Sequence, residues 1–394
     1  MRAMYATSGG PGVWPARIAC GLFVAALVAG CVGGKQPAAP AITPLPVPTP
    51  LTAFTPAFPQ KIVQLAWFYK PPEDSNLATL AQYFNVFVLT KNDEAARDAL
   101  KAQGVAAPML QYFAFDAIQD PGNCTDRPWG NQVAYEAGDF CQISEQHPDW
   151  FMLDTAGRRI MHDGNAFMDP GNAGWREFFL QRVRQSQQEQ GWDGVFLDNV
   201  EASLYKRQTR GMPGPYLDDA GYQAAIEGFL QYLYINYFQP QRRPLFANVI
   251  AIQDQQEAYF RYLRYLDGAM EEGFGVDFYN GFLSDSDWLE QMSRFEQTQR
   301  LGKRLILVSN GTRLDAEREL YAFASYLLIA NGGASFRYSN NRSYEQAWLY
   351  DNYFSDLGDP TGQRYFDGKV WRRDFAGGAV TVDLKTHTAT ITTP

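Results

Sequence analysis

Histidine is scarce in this chain, and the motifs that support most metal, nucleophile and nucleotide chemistry are missing. The chain has three histidines in 394 residues, His147, His162 and His387, and they form no two-histidine zinc motif. There is no G-x-S-x-G elbow, no Walker-type phosphate loop and no EF-hand spacing. The sequence therefore predicts no metal and no cofactor, and it argues against a serine hydrolase or a nucleotide-dependent enzyme.

Long basic runs are missing as well. The net charge is −9, so the electrostatic footprint of a nucleic-acid-binding protein is absent and no nucleic-acid partner is expected. Aromatic residues, by contrast, make up 15% of the chain, which is high for a soluble protein. Most such rings serve packing, but flat rings also stack on the apolar faces of pyranose sugars. The composition therefore favours carbohydrate as the partner.

The apolar run near the amino terminus is too short to cross a bilayer. It extends from Ile18 to Ala29 after two arginines, which is the length of a signal-peptide core. It ends in LVAGC at residues 27–31, which resembles a bacterial lipobox. We expect residues 1–30 to be a lipoprotein signal and Cys31 to carry the lipid, so that the protein is anchored in the bacterial cell envelope, outside the cytoplasm. The alternative is a plain secretory signal, in which the position of Cys31 is a coincidence and the residue carries no lipid.

Residues 31–60 are predicted to be a tether. They are rich in proline, alanine and threonine, including PLPVPTP at residues 44–50, a composition that favours extended polyproline conformation. Beyond the tether only two cysteines remain, Cys124 and Cys141. In an exported chain such a pair predicts a disulfide that pins a loop, and two free buried thiols are the alternative.

Residues 61–350 alternate short apolar runs with amphipathic stretches, the pattern of parallel strands joined by crossover helices. Eight such units predict an α/β fold, a (β/α)8 TIM barrel. No G-x-G-x-x-G follows the first strand, which argues against a dinucleotide-binding sheet. The predicted strands are Ile62–Tyr69, Val86–Thr90, Pro108–Phe115, Gly194–Val200, Leu245–Ala251, Gly268–Phe274, Arg304–Ser309 and Ala334–Tyr338.

Two segments do not fit the repeating unit. The interval from Asp116 to Trp175 is too long for an ordinary connection, so we expect an elaborated loop after the third strand that carries both cysteines. In residues 351–394, the runs VWRRDF and AVTV flank a pair of glycines. That pattern predicts a β-hairpin that forms a small carboxyl-terminal appendage on the barrel.

The strongest chemical motif is WDGVFLDNV at residues 192–200. Apolar residues lead up the fourth strand to Asp198 at its carboxyl end, where barrel enzymes place catalytic groups. The alternative is that Asp198 caps a helix. A second acidic cluster, DGAMEEGF at residues 267–274, ends the sixth strand. Hydrolysis of a glycosidic bond requires two carboxyl groups, and these two strands can supply them.

Only one of Glu271 and Glu272 can face the site, because side chains alternate along a strand. We favour Glu272, which lies nearer the carboxyl end. Glu271 then lies behind the strand, at the surface or in a salt bridge.

These segments, together with MDPGN at residues 168–172 ahead of a helix with Trp175 and Arg176, resemble the barrels of the hypothetical glycosyl hydrolase family 15. They are similar, more distantly, to endo-α-1,4-polygalactosaminidase barrels. The tail around Arg372, Arg373 and Phe375 is similar to the closing hairpin of the family. The resemblance covers roughly residues 61–385, and it implies that Asp198 is the nucleophile or base and Glu272 the acid.

Further polar residues near predicted strand ends are candidates for binding sugar hydroxyls: Tyr69, Gln111, Tyr112, Asp169, Asn199, Asn248, Asn310 and Arg337. Many such groups only satisfy loop backbone, and Asp169 is equally suited to cap the helix that begins near Asn172. The sequence thus predicts a glycoside hydrolase that cleaves a polysaccharide or oligosaccharide. The alternative is a surface lipoprotein that only binds carbohydrate, because fold does not establish activity.

Overall fold

The computed structural model describes Phe58 and residues 61–279, 281–340 and 344–393. Its α-helices are α1 Leu77–Tyr83, α2 Glu94–Ala102, α3 Asp139–Gln146, α4 Ala173–Gln190, α5 Tyr205–Gln208, α6 Asp219–Leu233, α7 Gln239–Gln241, α8 Gln256–Tyr262, α9 Asp285–Arg300 and α10 Ala316–Ile329. A π-helical turn, Tyr234–Phe238, joins α6 to α7, and 3-10 turns occur at Pro148–Trp150, Leu263–Tyr265 and Asp351–Phe354.

The strands are β1 Ala66–Phe68, β2 Val86–Leu89, β3 Met109–Ala114, β4 Ala117–Gln119, β5 Met161–His162, β6 Asn165–Phe167, β7 Gly194–Glu201, β8 Leu245–Ile250, β9 Gly268–Glu271, β10 Arg304–Asn310, β11 Ala334–Ser339, β12 Tyr365–Phe366, β13 Trp371–Phe375, β14 Gly378–Asp383 and β15 Thr388–Thr392.

Eight of these strands form one parallel sheet that curls into a barrel. Its order is β1-β2-β3-β7-β8-β9-β10-β11, and a parallel bridge between Leu65 and Phe336 brings its two edges together. All eight strands that the sequence predicts are present in the predicted order, although β1 and β9 are shorter than expected. The prediction of a TIM barrel is confirmed.

The barrel strands are apolar on both faces, because one face fills the interior and the other packs under the helices. The interior cluster takes alternate residues such as Phe68, Tyr112, Phe196 and Phe246. Gly268 makes room for this filling: a Cβ at that position would meet the ring of Phe246 at 2.5 Å. The glycine of the sixth-strand motif is therefore required for packing.

The aspartates that precede the two motif strands are also structural. Asp193 accepts a hydrogen bond from the backbone N–H of Met109 at 2.9 Å, and Asp267 accepts one from Leu245 at 2.9 Å. Each carboxylate thus joins the amino end of its strand to the preceding strand. The Asp-Gly pair that both motifs share thus stabilises the amino ends of the barrel strands. The candidate catalytic residues of the two motifs lie at the opposite, carboxyl ends.

The connection after β3 is an elaborated loop, as predicted. It contains α3 and a three-stranded sheet in the order β4-β6-β5, and a disulfide joins Cys124 to Cys141. The carboxyl-terminal appendage is larger than the predicted hairpin, because β12 and β15 extend it to a four-stranded antiparallel sheet. The appendage packs on α10, where Arg373 donates to the carbonyls of Leu327 and Ala330 at 2.9 and 2.8 Å.

Phe58 lies at the amino end of the barrel. Its ring is 5.8 Å from that of Phe246 near the start of β8, and the guanidinium of Arg304, the first residue of β10, lies 4.4 Å from its centroid. Phe58 belongs to the interior cluster, so the chain enters the barrel from this end. The predicted lipidation site, Cys31, lies outside the described residues. Within the described part of the chain, no helix has the length and apolarity needed to cross a bilayer.

Candidate active site

Asp198 lies near the carboxyl end of β7, with its side chain on the same face as the interior residue Phe196. The pairing of β7 with β8 shifts register between Leu197 and Val200, and Asn199 adopts a φ of 62° at this bulge. Asparagine tolerates that left-handed conformation better than most residues. The bulge turns the backbone N–H of Asn199 onto Asp198 Oδ1 at 2.9 Å.

One amide group links the two predicted catalytic carboxylates. Asn248 Nδ2, on the adjacent strand β8, donates to Asp198 Oδ1 at 3.0 Å and to Glu272 Oε2 at 2.7 Å. The two oxygens that share this donor are therefore less than about 6 Å apart. Asn248 is buried, whereas both carboxylates keep some exposure to the cleft. The structure thus brings Asp198, Asn248 and Glu272 together at the carboxyl ends of three neighbouring strands.

Glu271 faces away from this pair. Its carboxylate accepts from the backbone N–H of Gly273 at 3.2 Å and feels the charge of Arg294 on α9, behind the sheet. Burial raises its pKa. The alternation of side chains along β9 therefore separates the two glutamates, and only Glu272 contacts Asn248.

The two cleft carboxylates differ in their donors. Asp198 accepts from the Tyr112 hydroxyl, from Asn248 and from the Asn199 backbone. Glu272 accepts from Asn248 and, through Oε1, from the Tyr344 hydroxyl at 3.0 Å.

Burial raises the pKa of both carboxyl groups, against the hydrogen bonds that lower it. For Glu272 the nearby charge of Asp198 adds to the effect of burial and raises the pKa to about 7. Two neighbouring carboxyl groups that affect each other's ionisation are a common arrangement for acid and nucleophile roles.

Three tyrosine rings pack next to one another beside Asp198 and Glu272. The ring of Tyr112 lies 5.0 Å from that of Tyr69, and Tyr69 is 6.4 Å from Tyr344 in an edge-on arrangement. Burial, followed by the charge of Asp198, raises the pKa of Tyr69 to about 12, so its hydroxyl stays protonated and can donate. Tyr69 and Tyr112, both predicted, therefore line the cleft.

Two further predicted residues lie on the other side of Glu272. Asn310, at the end of β10, donates to the backbone carbonyl of Glu272, and its own Oδ1 is buried without a hydrogen-bond partner. The Arg337 side chain is buried, stacks 4.1 Å from the Trp67 centroid and donates to the carbonyl of Tyr344. It holds the loop that carries Tyr344. Whether Arg337 also binds a sugar hydroxyl stays a prediction.

The predicted role of Gln111 in binding a sugar hydroxyl is corrected. Its Oε1 accepts from Ser186 at 2.8 Å and from Gln187 at 3.2 Å, both on α4. The side chain thus lies outside the barrel, on the opposite face of β3 from Tyr112, and cannot reach a sugar in the cleft.

Asp169 holds a turn instead of lining the cleft with the carboxylates. It accepts from the Tyr216 hydroxyl and from the backbone of Gly171, while Asn172 caps α4 by accepting from Trp175 at 3.0 Å. Of the two alternatives that the sequence left even for Asp169, sugar binding and the helix cap, the cap is wrong, because Asn172 three residues further on caps α4. Whether the side chain of Asn199 binds sugar stays a prediction.

Sequence reasoning missed Tyr344, Asn131 and Trp129. Tyr344 lies in the loop after β11, and Asn131, on the disulfide-closed loop, is near enough to Tyr69 for its side chain to act against the rise in the pKa of that tyrosine. Trp129 on the same loop lies 6.2 Å from Tyr112. Loops carry no periodicity, so the only signal for these residues is that the disulfide-closed loop follows a barrel strand on the face that carries the site.

An eight-stranded parallel barrel with a paired aspartate and glutamate at the carboxyl ends of its strands is an architecture of glycoside hydrolases. The chain belongs to the hypothetical glycosyl hydrolase family 15, whose sequence profile matches residues 126–379, a stretch that contains Asp198, Asn248 and Glu272. Family membership assigns the protein to the enzymes that hydrolyse carbohydrate.

Several solved structures are similar to this chain. The glycoside hydrolase domain of PelA from Pseudomonas aeruginosa is 15% identical with a TM-score of 0.49, over 74% of this chain and 98% of that one. A noncanonic maltogenic alpha-amylase, AmyB from Thermotoga neapolitana, is 12% identical with a TM-score of 0.47, over 81% and 84% of the two chains. Trehalose-6-phosphate hydrolase from Bacillus licheniformis is 12% identical with a TM-score of 0.45, over 71% and 64%. No curated protein sequence matches the chain.

Proposed function

We propose that the protein is a retaining glycosidase that cleaves a polysaccharide or oligosaccharide, with Asp198 as nucleophile and Glu272 as acid and base. The observation that carries the proposal is the shared donor: Asn248 Nδ2 lies 3.0 Å from one carboxylate and 2.7 Å from the other. A protein that only binds sugar has no need to hold two carboxylates on one amide. That difference favours the enzyme over the alternative, a non-catalytic carbohydrate-binding lipoprotein.

The spacing supports retention of configuration. Retaining enzymes hold their carboxyl groups about 5 to 5.5 Å apart, and inverting enzymes about 6.5 to 9.5 Å apart, to admit a water between carboxylate and sugar. The bridging amide keeps the nearest oxygens of Asp198 and Glu272 within about 6 Å. This upper bound lies below the range of inverting enzymes, which need space for an additional water.

The division of roles follows from the donors. Three hydrogen bonds favour the ionised form of Asp198, as a nucleophile requires. Glu272 has two donors and a pKa raised to about 7, so near neutral pH a large fraction of it carries a proton to give.

In the first step Asp198 attacks the anomeric carbon while Glu272 protonates the glycosidic oxygen. The carbon–oxygen bond to the leaving sugar breaks, and a glycosyl ester forms on Asp198. In the second step the Glu272 carboxylate takes a proton from water, the resulting hydroxyl attacks the same carbon, and Asp198 leaves as a carboxylate. Each group ends in its starting protonation state.

The same geometry switches Glu272 between its two roles. The charge of Asp198 helps to raise the pKa of Glu272. Esterification removes that charge, so the pKa of Glu272 falls once its proton has been delivered, and the group becomes a better match for a base.

The test is a hydrolysis screen over diverse glycans, scored by reducing-end release, followed by NMR of the first-formed anomer. We expect a product with the anomeric configuration of the substrate. Asp198→Asn and Glu272→Gln should each lower kcat by orders of magnitude, with Glu272→Gln partly spared on substrates that have a good leaving group.

Glu271→Gln is the matched control, because it makes the same change one residue away on the other face of β9. Near-normal turnover by Asp198→Asn would refute the catalytic assignment, and an inverted product would refute retention.

We propose further that the enzyme is anchored to the bacterial envelope through lipid on Cys31. Support comes from the LVAGC sequence at residues 27–31 behind a short apolar run and from the disulfide between Cys124 and Cys141, a bond typical of proteins outside the cytoplasm.

A further inference from the structure

Hydrogen bonds made by backbone N–H groups hold the disulfide-closed segment, residues 124–141, near the carboxyl ends of the barrel strands. The N–H of Trp129 donates to the side chain of Gln119 at 2.6 Å. The carbonyl of Asn131 accepts from Ala114 at the end of β3 at 2.7 Å, and its side chain accepts from the backbone of Lys91 after β2 at 3.2 Å. The backbone of Trp129 is therefore tied to β4, and Asn131 is tied to the ends of two barrel strands.

The side chain on this fixed backbone is nevertheless open to solvent. The indole of Trp129 is 39% exposed, and its ring meets Tyr112 edge-on at 6.2 Å between centroids. The hydroxyl of Tyr112 donates to Asp198. The exposed ring of Trp129 is thus linked to the proposed nucleophile, Asp198, through the single residue Tyr112. Tyr112 lies on β3, and β3 and β9 lie on opposite sides of the strand that carries Asp198.

We propose that Trp129 is the stacking platform of a sugar subsite adjacent to the cleavage point, and that the disulfide-closed loop 124–141 holds it in place. The ligand is a pyranose unit of the substrate chain next to the one that is cleaved. The inference rests on the proposed glycosidase function and deepens it, since a subsite beyond the scissile unit selects for chains over single sugars.

The physical argument is preorganisation. Covering the exposed face of the Trp129 ring removes apolar surface from water, which is favourable, and a pyranose offers a flat apolar face of matching size. Because hydrogen bonds and a disulfide already fix the loop, little conformational entropy is lost when the sugar binds. A role for Trp129 only in shielding Tyr112 would not account for the part of its ring that is exposed to solvent.

The experiment uses the full chain with Asp198→Asn to block turnover. The probes are oligosaccharides of glucose, galactose, mannose, N-acetylglucosamine and galactosamine, with dissociation constants from titration calorimetry. Trp129→Ala should weaken binding of the accepted oligosaccharide about tenfold, which corresponds to about 1.4 kcal/mol, and Trp129→Phe should recover part of the loss. Tyr365→Ala, which removes an exposed ring from the appendage, should change nothing.

Two further measurements separate a subsite from a merely structural role. In the active enzyme, Trp129→Ala should lower kcat/KM more for the oligosaccharide than for an aryl glycoside of the single sugar. Replacing Cys124 and Cys141 together with serine should weaken oligosaccharide binding in the same direction. Equal losses on both substrates, or unchanged binding of every oligosaccharide that the parent binds, would overturn the subsite and leave the glycosidase intact. A parent that binds and cleaves none of the probes would overturn both.

Discussion

At the scale of single residues, Asn248 is the centre of the site. Its one amide nitrogen donates to both carboxylates, so it fixes their separation and links their titrations. Its own Oδ1 is buried without a hydrogen-bond partner. An unsatisfied acceptor beside the two proposed catalytic groups is unfavourable in the free protein, and a sugar hydroxyl that donates to it would remove that penalty.

The sequence could predict Asp198 and Glu272, because each is an acidic residue at the end of an apolar strand with a clear carboxyl end. It could not show whether the side chain of Gln111 faces the interior of the barrel or the surrounding helices. A barrel strand is buried on both faces, so the pattern around Gln111 and Tyr112 does not show which side chain faces inward. Tyr344 was beyond prediction, because its position depends on the path of a loop held by Arg337.

The Tyr344 hydroxyl gives a test at this scale. It stabilises the ionised form of Glu272, so Tyr344→Phe should raise the pKa of Glu272 above about 7. Activity requires the protonated acid and falls as pH rises through this pKa. The basic limb of kcat/KM against pH should therefore move upward by roughly half to one unit.

The control is Tyr350→Phe. That hydroxyl lies on the same loop but donates to the carbonyl of Arg313, so its loss should leave the basic limb in place. A limb that stays fixed in Tyr344→Phe, or moves to lower pH, would contradict the assignment of Glu272 as the acid.

At the scale of elements, the barrel strands were predictable and the appendage was only partly so. Apolar runs at regular spacing define strands well, and a glycine pair between β-rich runs correctly indicated the turn between β13 and β14. The short edge strand β12 and the threonine-rich β15 lack the apolar alternation of a buried strand. They pair because the hairpin offers them free edges.

Arg373 is predicted to be the main attachment of this sheet to the barrel. It is buried on the inner face of β13 and donates to two carbonyls at the end of α10. Arg373→Met would leave those carbonyls unpaired and should lower the free energy of unfolding by about 3 kcal/mol, as measured by urea denaturation.

The adjacent Arg372 supplies a matched control. It lies on the outer face of β13, where it pairs with Asp374 at 2.7 Å and both side chains are substantially exposed. Arg372→Met should therefore change stability by less than about 1 kcal/mol. Similar losses in the two variants would show that Arg373 does not carry the attachment.

At the scale of the whole molecule, the body from Phe58 onward forms one compact unit, in which the appendage is continuous with the barrel. Of the signal and tether predicted upstream, only Phe58 lies within the described residues, and it packs with the barrel instead of belonging to the tether. The mode of anchoring stays a prediction from sequence.

Cys31→Ser tests that prediction. If Cys31 accepts the lipid, the variant should either lose its membrane association or accumulate with its signal attached, because serine has no thiol to modify. Fractionation of cells and mass spectrometry of the mature amino terminus would distinguish these outcomes. A mature chain with an unmodified Cys31 would show that the signal is an ordinary secretory one.

The position of Phe58 bears on how an anchored enzyme would meet its substrate. The ring packs at the amino end of the barrel, whereas Asp198 and Glu272 lie at the carboxyl ends of their strands. If residues 31–57 are extended as their composition predicts, they span about 80 Å at ~3.1 Å per residue. On that prediction, an enzyme anchored through Cys31 would reach chains too large to diffuse to the membrane.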